Sequence, residues 1–271
     1  MRIAREEPFQ IMPAKIARSA RAAAEVGGSS RERILAKAER VFGARGFDGA
    51  SMRQLADAAD VPAALVSYHF GSKEGLYRAV FERRVPTVVE QRLAGLAIAM
   101  SEQDLDRRLE LVVKALVFPM LHLRARDRDP SFGRLLAHET MDPNSEQRGF
   151  IREMFDPIAR AVVEALRSAL PTRTEAEIWW AYEFMLGAMV YVMGDAGRLE
   201  RLTGGLCQPD DEAASVPHMV AFLTAGVRHG IPPQVNEGNR PTKPTKVTGG
   251  KTNATRDVPK GERIAARRRP R

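Results

Sequence analysis

Apolar side chains recur every three or four residues along most of this chain, the spacing that lines one face of a helix. In "SSRERILAKAERVFGARGF", Ile34, Leu35, Ala38, Val41 and Phe42 share such a face. Ser29 and Glu32 have the spacing of a capping box before it, and Gly46 supplies a stop after it. A second capping box, Ser51 with Gln54, opens a short helix carrying Met52, Leu55, Ala56 and Ala59. Asp60 follows at a turn, where Asp tolerates a left-handed backbone. Pro62 suits the first turn of the next helix, because an N–H there would have no partner within the helix. That helix, "PAALVSYHF", stops at Gly71, and Ser72 caps "KEGLYRAVFERR". Beyond Pro86, longer amphipathic segments fall at about 87–100, 104–126, 131–141, 145–170, 175–199 and 211–229, with Thr174 and Glu177 as a third capping box. Pro119 and Pro157 lie inside these patterns and are expected to kink or interrupt them. No stretch alternates with period two, so the pattern predicts an all-α protein.

The two ends differ from this pattern. Residues 1–28 mix Ala, Arg and Glu with two prolines and run into "GGSS", which reads as a flexible arm. Residues 231–271 are rich in Pro, Gly, Lys, Arg and Thr with few large apolar residues. They cannot bury enough surface to offset their conformational entropy, and a disordered basic tail is expected. Charge sharpens the division. The formal net charge is +8, and residues 231–271 hold eleven Lys/Arg against three Asp/Glu, whereas residues 85–230 hold sixteen against twenty-one. Basic ends around an acidic middle suggest an anionic partner such as nucleic acid, although a charged tail can equally serve solubility. The apolar run "FMLGAMVYVMG" is too short to span a bilayer and is bracketed by Glu183 and Asp195. The first fifteen residues are charged and lack an apolar signal core, and the lone Cys207 cannot form an internal disulfide. A reducing, cytoplasmic setting is the expectation.

Two very short helices joined by a tight turn, between residues 51 and 71, have the layout of a helix-turn-helix. The stretch "RILAKAERVFGARGFDGASMRQLADAADVPAALVSYHFGSKEGLYRAVF" closely resembles the N-terminal domain of the tetracycline-repressor (TetR) family of bacterial transcriptional regulators. The elbow Phe42–Gly46–Phe47, Ser51, Leu55-Ala56, Val61 and "YHFGSKEGL" carry that likeness. The resemblance implies a DNA-binding domain over 29–84, with Leu55, Ala59, Val61, Val66 and Phe70 as its core. Ala63, Ala64, Ser67 and Tyr68 would face the major groove, where small side chains allow close approach and an alanine methyl can meet a thymine methyl. It further implies phosphate contacts at Ser51, Tyr68, His69 and Lys73. Pro62 stands where the family commonly has a capping Ser or Thr. Base reading is therefore expected to lean on Arg53, Gln54 and the N-terminal arm.

The same resemblance implies that residues 85–230 form a helical domain that binds a small-molecule effector and forms a homodimer through its last helices, about 175–199 and 211–229. Met185, Leu186, Met189, Val190, Val192 and Met193, with small Gly187, Ala188 and Gly194, are candidates for the dimer surface, or for the core of one subunit. Candidate pocket residues are Phe118, Leu121, His122, Phe132, Leu135, His138, Glu139, Phe155, Trp179, Tyr182 and Met185, aromatic or Met side chains beside a few polar groups. Their alternative is ordinary core. His138-Glu139 lacks the second histidine of a zinc-protease helix, Cys207 lies in an expected loop, and there is no glycine-rich phosphate loop or nucleophile elbow. Neither an enzyme nor a bound metal or cofactor is expected. The predicted function is a ligand-responsive repressor of double-stranded DNA. The alternative is a sequence-tolerant architectural protein that uses the basic tail.

Overall fold

A computed structural model describes residues 14–230, with side chains from Ser30 onward; the expected tail over 231–271 and the first thirteen residues lie outside the described residues. Twelve helices and no strand occur among the described residues. Helix α1 (Ala14–Arg45) starts well before Ser29, so residues 14–28 are helical rather than an arm, and no helix begins at Ser29. The segment "AKIARSARAAAEV" is dense in strong helix formers. Extending a helix through Gly27 and Gly28 costs about 1 kcal/mol per glycine, whereas starting afresh at Ser29 would require a new nucleus.

Helices α2 (Met52–Ala59) and α3 (Ala63–Phe70) follow the sequence closely. Both halves of the Ser51/Gln54 capping box form, Asp60 takes the left-handed conformation at φ 53°, and Gly71 ends α3 at φ 72°. Helix α4 (Lys73–Ser101), expected to end near Arg84, instead runs straight past Pro86. Glu82 and Pro86 are both exposed, so the carbonyl that loses its N–H donor sits on the water-facing side of the helix. The buried face of Val85, Val88, Leu96 and Ala99 continues through it. Helix α5 (Leu105–Asp127) likewise absorbs Pro119, because its buried residues Leu116 and Met120 pack on both sides of the missing hydrogen bond.

Helix α6 (Ser131–Met141) matches expectation, but the segment 145–170 does not. It divides into α7 (Ser145–Arg148), α8 (Phe150–Met154) and α9 (Asp156–Ala169). Gly149 at φ 71° closes α7, and Pro157 occupies the first turn of α9, where a missing N–H costs nothing. Helix α10 (Glu175–Met193) carries the Thr174/Glu177 capping box and stops at Gly194, short of residue 199. The Asp195 carboxylate then accepts the N–H groups of Arg198 and Leu199, which starts the short α11 (Arg198–Thr203). Helix α12 (Glu212–His229) is capped by Asp211.

Helix α6 lies where the N-terminal helices meet the rest. A Cβ on Gly43 of α1 would come within 2.4 Å of the Ser131 carbonyl oxygen, and one on Gly133 within 2.5 Å of the Met193 carbonyl oxygen. Glycine at both points lets α6 pack backbone-to-backbone against α1 and α10. An aromatic cluster fills the same junction: Tyr77 packs edge-on to Phe42 at 4.7 Å and Phe81 at 5.2 Å, and Phe81 meets Phe132 at 5.9 Å. The Tyr77 hydroxyl donates to Glu139 at 3.0 Å, and Arg148 donates to Glu139 at 2.8 Å while pairing with Asp142 at 2.7 Å. Burial pushes the Tyr77 hydroxyl pKa up, and the Glu139 carboxylate reinforces it, so the phenol stays a donor at any physiological pH.

Candidate DNA interface and effector cavity

Helices α2 and α3 are eight residues each, too short to persist alone. One face of the pair is locked down: Leu55, Ala59 and Val66 are buried, and Val61 and Phe70 pack half-buried on the same core. The other face of α3 is open. Pro62, Ala63, Ala64, Ser67 and Tyr68 are all exposed, Tyr68 to 81%. This strip carries no charge, so its shape and its two hydroxyls are what it presents. Ser51 is exposed beside it, with its hydroxyl accepting the Gln54 N–H at 3.2 Å, while Gln54 Oε1 accepts the Ser51 N–H at 3.0 Å. Gln54 is thus partly spent on the cap. Arg53 is exposed with a long 3.9 Å pairing to Asp57, which leaves it available.

Two of the expected phosphate donors, Lys73 and His69, are half-buried. Lys73 Nζ donates to the Phe47 carbonyl at 3.0 Å and sits 4.2 Å from the Phe47 ring centroid, so this half-buried lysine has a packing role of its own. His69 is half-buried with its Nε2 lacking a hydrogen-bond partner, between Tyr68 and Phe70. Phe47 is distant from Lys73 in sequence, so this tether had no local sign.

The effector candidates do not converge as a group. Phe155, Trp179 and Tyr182 line a cavity of about 300 Å³, together with Leu136, Ile151, Leu186, Met189 and Val190. The rest lie elsewhere. Leu121, Phe132, Leu135 and Met185 are buried core. Phe118 stacks on His122, whose Nδ1 meets Glu212 at 2.7 Å across to α12. His138 lines a shallow groove by Gly194, and Glu139 is consumed by Tyr77 and Arg148.

Of the cavity residues that sequence reasoning missed, the one buried charge is Arg92 of α4. It is only 3% exposed, and its Nε donates to the Leu116 carbonyl at 3.2 Å, while Nη2 lies 3.6 Å from Met189 Sδ. No carboxylate pairs with it among the described residues. Burial pulls its pKa down to about 10, yet it remains a cation at neutral pH. A signal was present: Val85, Val88, Arg92, Leu96 and Ala99 form one helical stripe, and Arg92 is its one charged member.

The proposed dimer surface also changes. Met185, Met189, Val190 and Met193 turn into their own subunit because they continue the stripe of Ile178 and Ala181. The outward face of α10 carries Trp180, Phe184 (60% exposed) and Tyr191 instead, and α12 adds Phe222 at 75%. A Cβ on Gly187 or Gly226 would meet nothing, so this face is open.

Comparison with known proteins agrees with this architecture. The family model described as "Bacterial regulatory proteins, tetR family" matches residues 34–80, and "Tetracyclin repressor-like, C-terminal domain" matches residues 114–226. The chain belongs to the TetR family. It is 32% identical over 143 residues to the HTH-type transcriptional regulatory protein RaaS of Mycobacterium tuberculosis, covering 49% of this chain and 65% of that protein. It is 35% identical over 92 residues to the HTH-type transcriptional repressor AcnR of Corynebacterium efficiens, covering 31% of this chain and 49% of the relative. The chain therefore spans less than two thirds of the length of either relative. In fold it is similar to the transcriptional regulator FadR of Bacillus subtilis, solved in complex with stearoyl-CoA, with TM-score 0.52 and 16% identity over 72% of this chain and 98% of that one. No helix among the described residues is long and apolar enough to cross a membrane.

Proposed function

We propose that this protein is a transcriptional repressor of the cytoplasm that binds an inverted-repeat operator as a homodimer and releases it when a small molecule enters the Arg92 cavity. The observation that carries the DNA reading is the α3 strip of Pro62, Ala63, Ala64, Ser67 and Tyr68, exposed on a helix whose opposite face is locked into the core. A helix with so little side-chain bulk can enter a major groove deeply. The open aromatic face of α10 and α12 supplies the twofold contact that brings two such strips onto one duplex.

Helix α6 supports coupling between the two ends. Its Leu136 and Thr140 face the cavity, its Ser131 backbone touches Gly43 of α1, and its Glu139 holds Tyr77 of α4. An occupant that displaces α6 must therefore disturb the helices that carry α2 and α3. Selection of bound fragments from random DNA, followed by sedimentation of wild type and Phe184→Glu, tests the proposal. A dyad-symmetric site, with Phe184→Glu monomeric and weak on it, is expected. An asymmetric site bound by a monomer overturns it. Loss of binding under excess random competitor would instead favour the architectural alternative.

A further inference from the structure

Arg92 presents a chemical problem that the fold leaves unsolved. A guanidinium taken out of water normally acquires a carboxylate, because an unpaired buried charge is costly. Here the contacts of Arg92 are one backbone carbonyl that already belongs to helix α5 and one methionine sulfur. The carboxylates nearest the cavity do not serve it: Glu183 is exposed, and Asp156 stands half-buried at the first turn of α9, neither within ion-pair distance of Arg92. Tyr182 lines the same space with a hydroxyl that makes no hydrogen bond among the described residues, near enough for Arg92 to act on it electrostatically. The lining also includes the Thr140 hydroxyl and Arg160, a second cation that is exposed, while the remaining wall is apolar or aromatic.

Building on the reading of this cavity as the effector site, we infer that its ligand is a compact apolar monocarboxylic acid whose carboxylate pairs with Arg92 and accepts from Tyr182. The tail of the acid would lie against Leu136, Ile151, Phe155 and Leu186. Arg92 is the one buried cation on the lining, and with one phenol it suits a single carboxylate; Arg160 is exposed, so a phosphate dianion drawn inward to Arg92 would leave acceptor oxygens unmatched. A volume of about 300 Å³ equals about ten water volumes. That accommodates a compact acid. The bound carboxylate would also relieve the lone charge, so binding should stabilise the protein.

The test uses the full-length protein with octanoate, octanamide and octyl phosphate, followed by thermal shift and by Trp179 and Trp180 fluorescence, with operator binding read separately. Octanoate is expected to raise the melting temperature and to bind roughly tenfold to a hundredfold more tightly than octanamide, the range set by one charge-assisted hydrogen-bonded pair. Arg92→Met should abolish that preference while melting no lower than wild type, since an apolar side chain suits the pocket without ligand. Arg92→Lys should retain part of the preference. Equal binding of acid and amide, undiminished octanoate binding by Arg92→Met, tighter binding of octyl phosphate, or no binding by octanoate overturns the inference. Octanoate bound through Arg92 with operator affinity unchanged would uphold the acid and sink the effector reading. Release of the operator by acid and amide alike would do the reverse.

Discussion

The α3 surface and the Arg92 cavity handle charge in opposite ways. At the surface, the exposed α3 strip is itself uncharged, and the cations nearby are either exposed and loosely paired, as Arg53 is, or tethered, as Lys73 is to Phe47. In the cavity, one cation is buried among apolar walls with no anion to meet it. A charge at the surface is screened by solvent and salt, and under the proposed function the uncharged strip would read DNA by shape. A charge in the interior is felt strongly, so the cavity can discriminate by sign. Helix α6 touches the cavity wall at Leu136 and Thr140, α1 at Gly43 and α4 at Tyr77.

The largest effect is expected where the two regions join. Glu139 is fully buried and serves both Tyr77 and Arg148. Glu139→Gln removes its charge and leaves Arg148 with Asp142 alone, which should cost about 3 kcal/mol of stability in urea unfolding. Unchanged stability would mean that the junction does not depend on this pair.

Next comes the strip. Ala64→Glu places a carboxylate on an exposed position that we propose approaches DNA, and operator affinity should fall about a hundredfold with stability within about 0.5 kcal/mol of wild type. Full operator binding by this variant in a gel shift would remove α3 as the reading helix.

Acidity separates the regions by a third route. The Arg78 guanidinium holds the Glu153 carboxyl below its usual range, and the Asn144 backbone N–H, with Arg148, does the same for Asp142. For Asp129, burial pushes upward, but hydrogen bonds from Ser131 and the Arg40 pair outweigh it, and its pKa is lowered. A carboxyl with a lowered folded-state pKa adds stability that is complete above its unfolded value of about 4 and lost as pH falls through the folded value. The melting temperature should be flat above about pH 5 and drop below about pH 4, and Glu153→Gln should shrink that drop. An acid limb identical in Glu153→Gln would show that the Arg78 pair contributes nothing.

Lys73 gives a smaller and sharper test. Its hydrogen bond and ring contact both go to Phe47, so Lys73→Ala should cost about 1 kcal/mol of stability. The salt dependence of operator binding should not change. A slope lower by about one unit would mean that Lys73 leaves Phe47 for a phosphate on binding.

The head of the protein was legible in sequence because its determinants are local. Ser51 and Gln54, Asp60, Pro62 and Gly71 each act within a few residues, and capping and turn chemistry identify them one by one. The continuity of α4 across Pro86 was not legible, because it depends on which side of the helix meets water. The cavity is assembled from residues between Arg92 and Val190 on five helices, and no periodicity reveals which aromatic residues share a void. Phe132 and Phe155 look alike in sequence, yet one is core and the other is wall. The methionines of α10 were ambiguous for the same reason: a stripe says that a face is covered, not by what.

The smallest effect concerns residues 231–271, which hold eleven Lys/Arg against three Asp/Glu, five of the basic ones within "RIAARRRPR". Each cation that neutralises a phosphate adds about 0.9 to the salt slope for duplex DNA. A segment tethered to a bound dimer would act at high local concentration, so even weak contacts would count. Deletion after Gly230 should leave the melting temperature and the ranking of operators intact, because α12 ends at His229 and the strip is unaltered. It should lower affinity severalfold and reduce the slope by roughly two units, reflecting partial occupancy by the tail. This isolates the unspecific electrostatic component that the uncharged α3 strip does not supply. Salt titrations of the full-length and shortened proteins that superimpose would place all of the phosphate contacts in residues before 231, with the tail left as a solubilising segment.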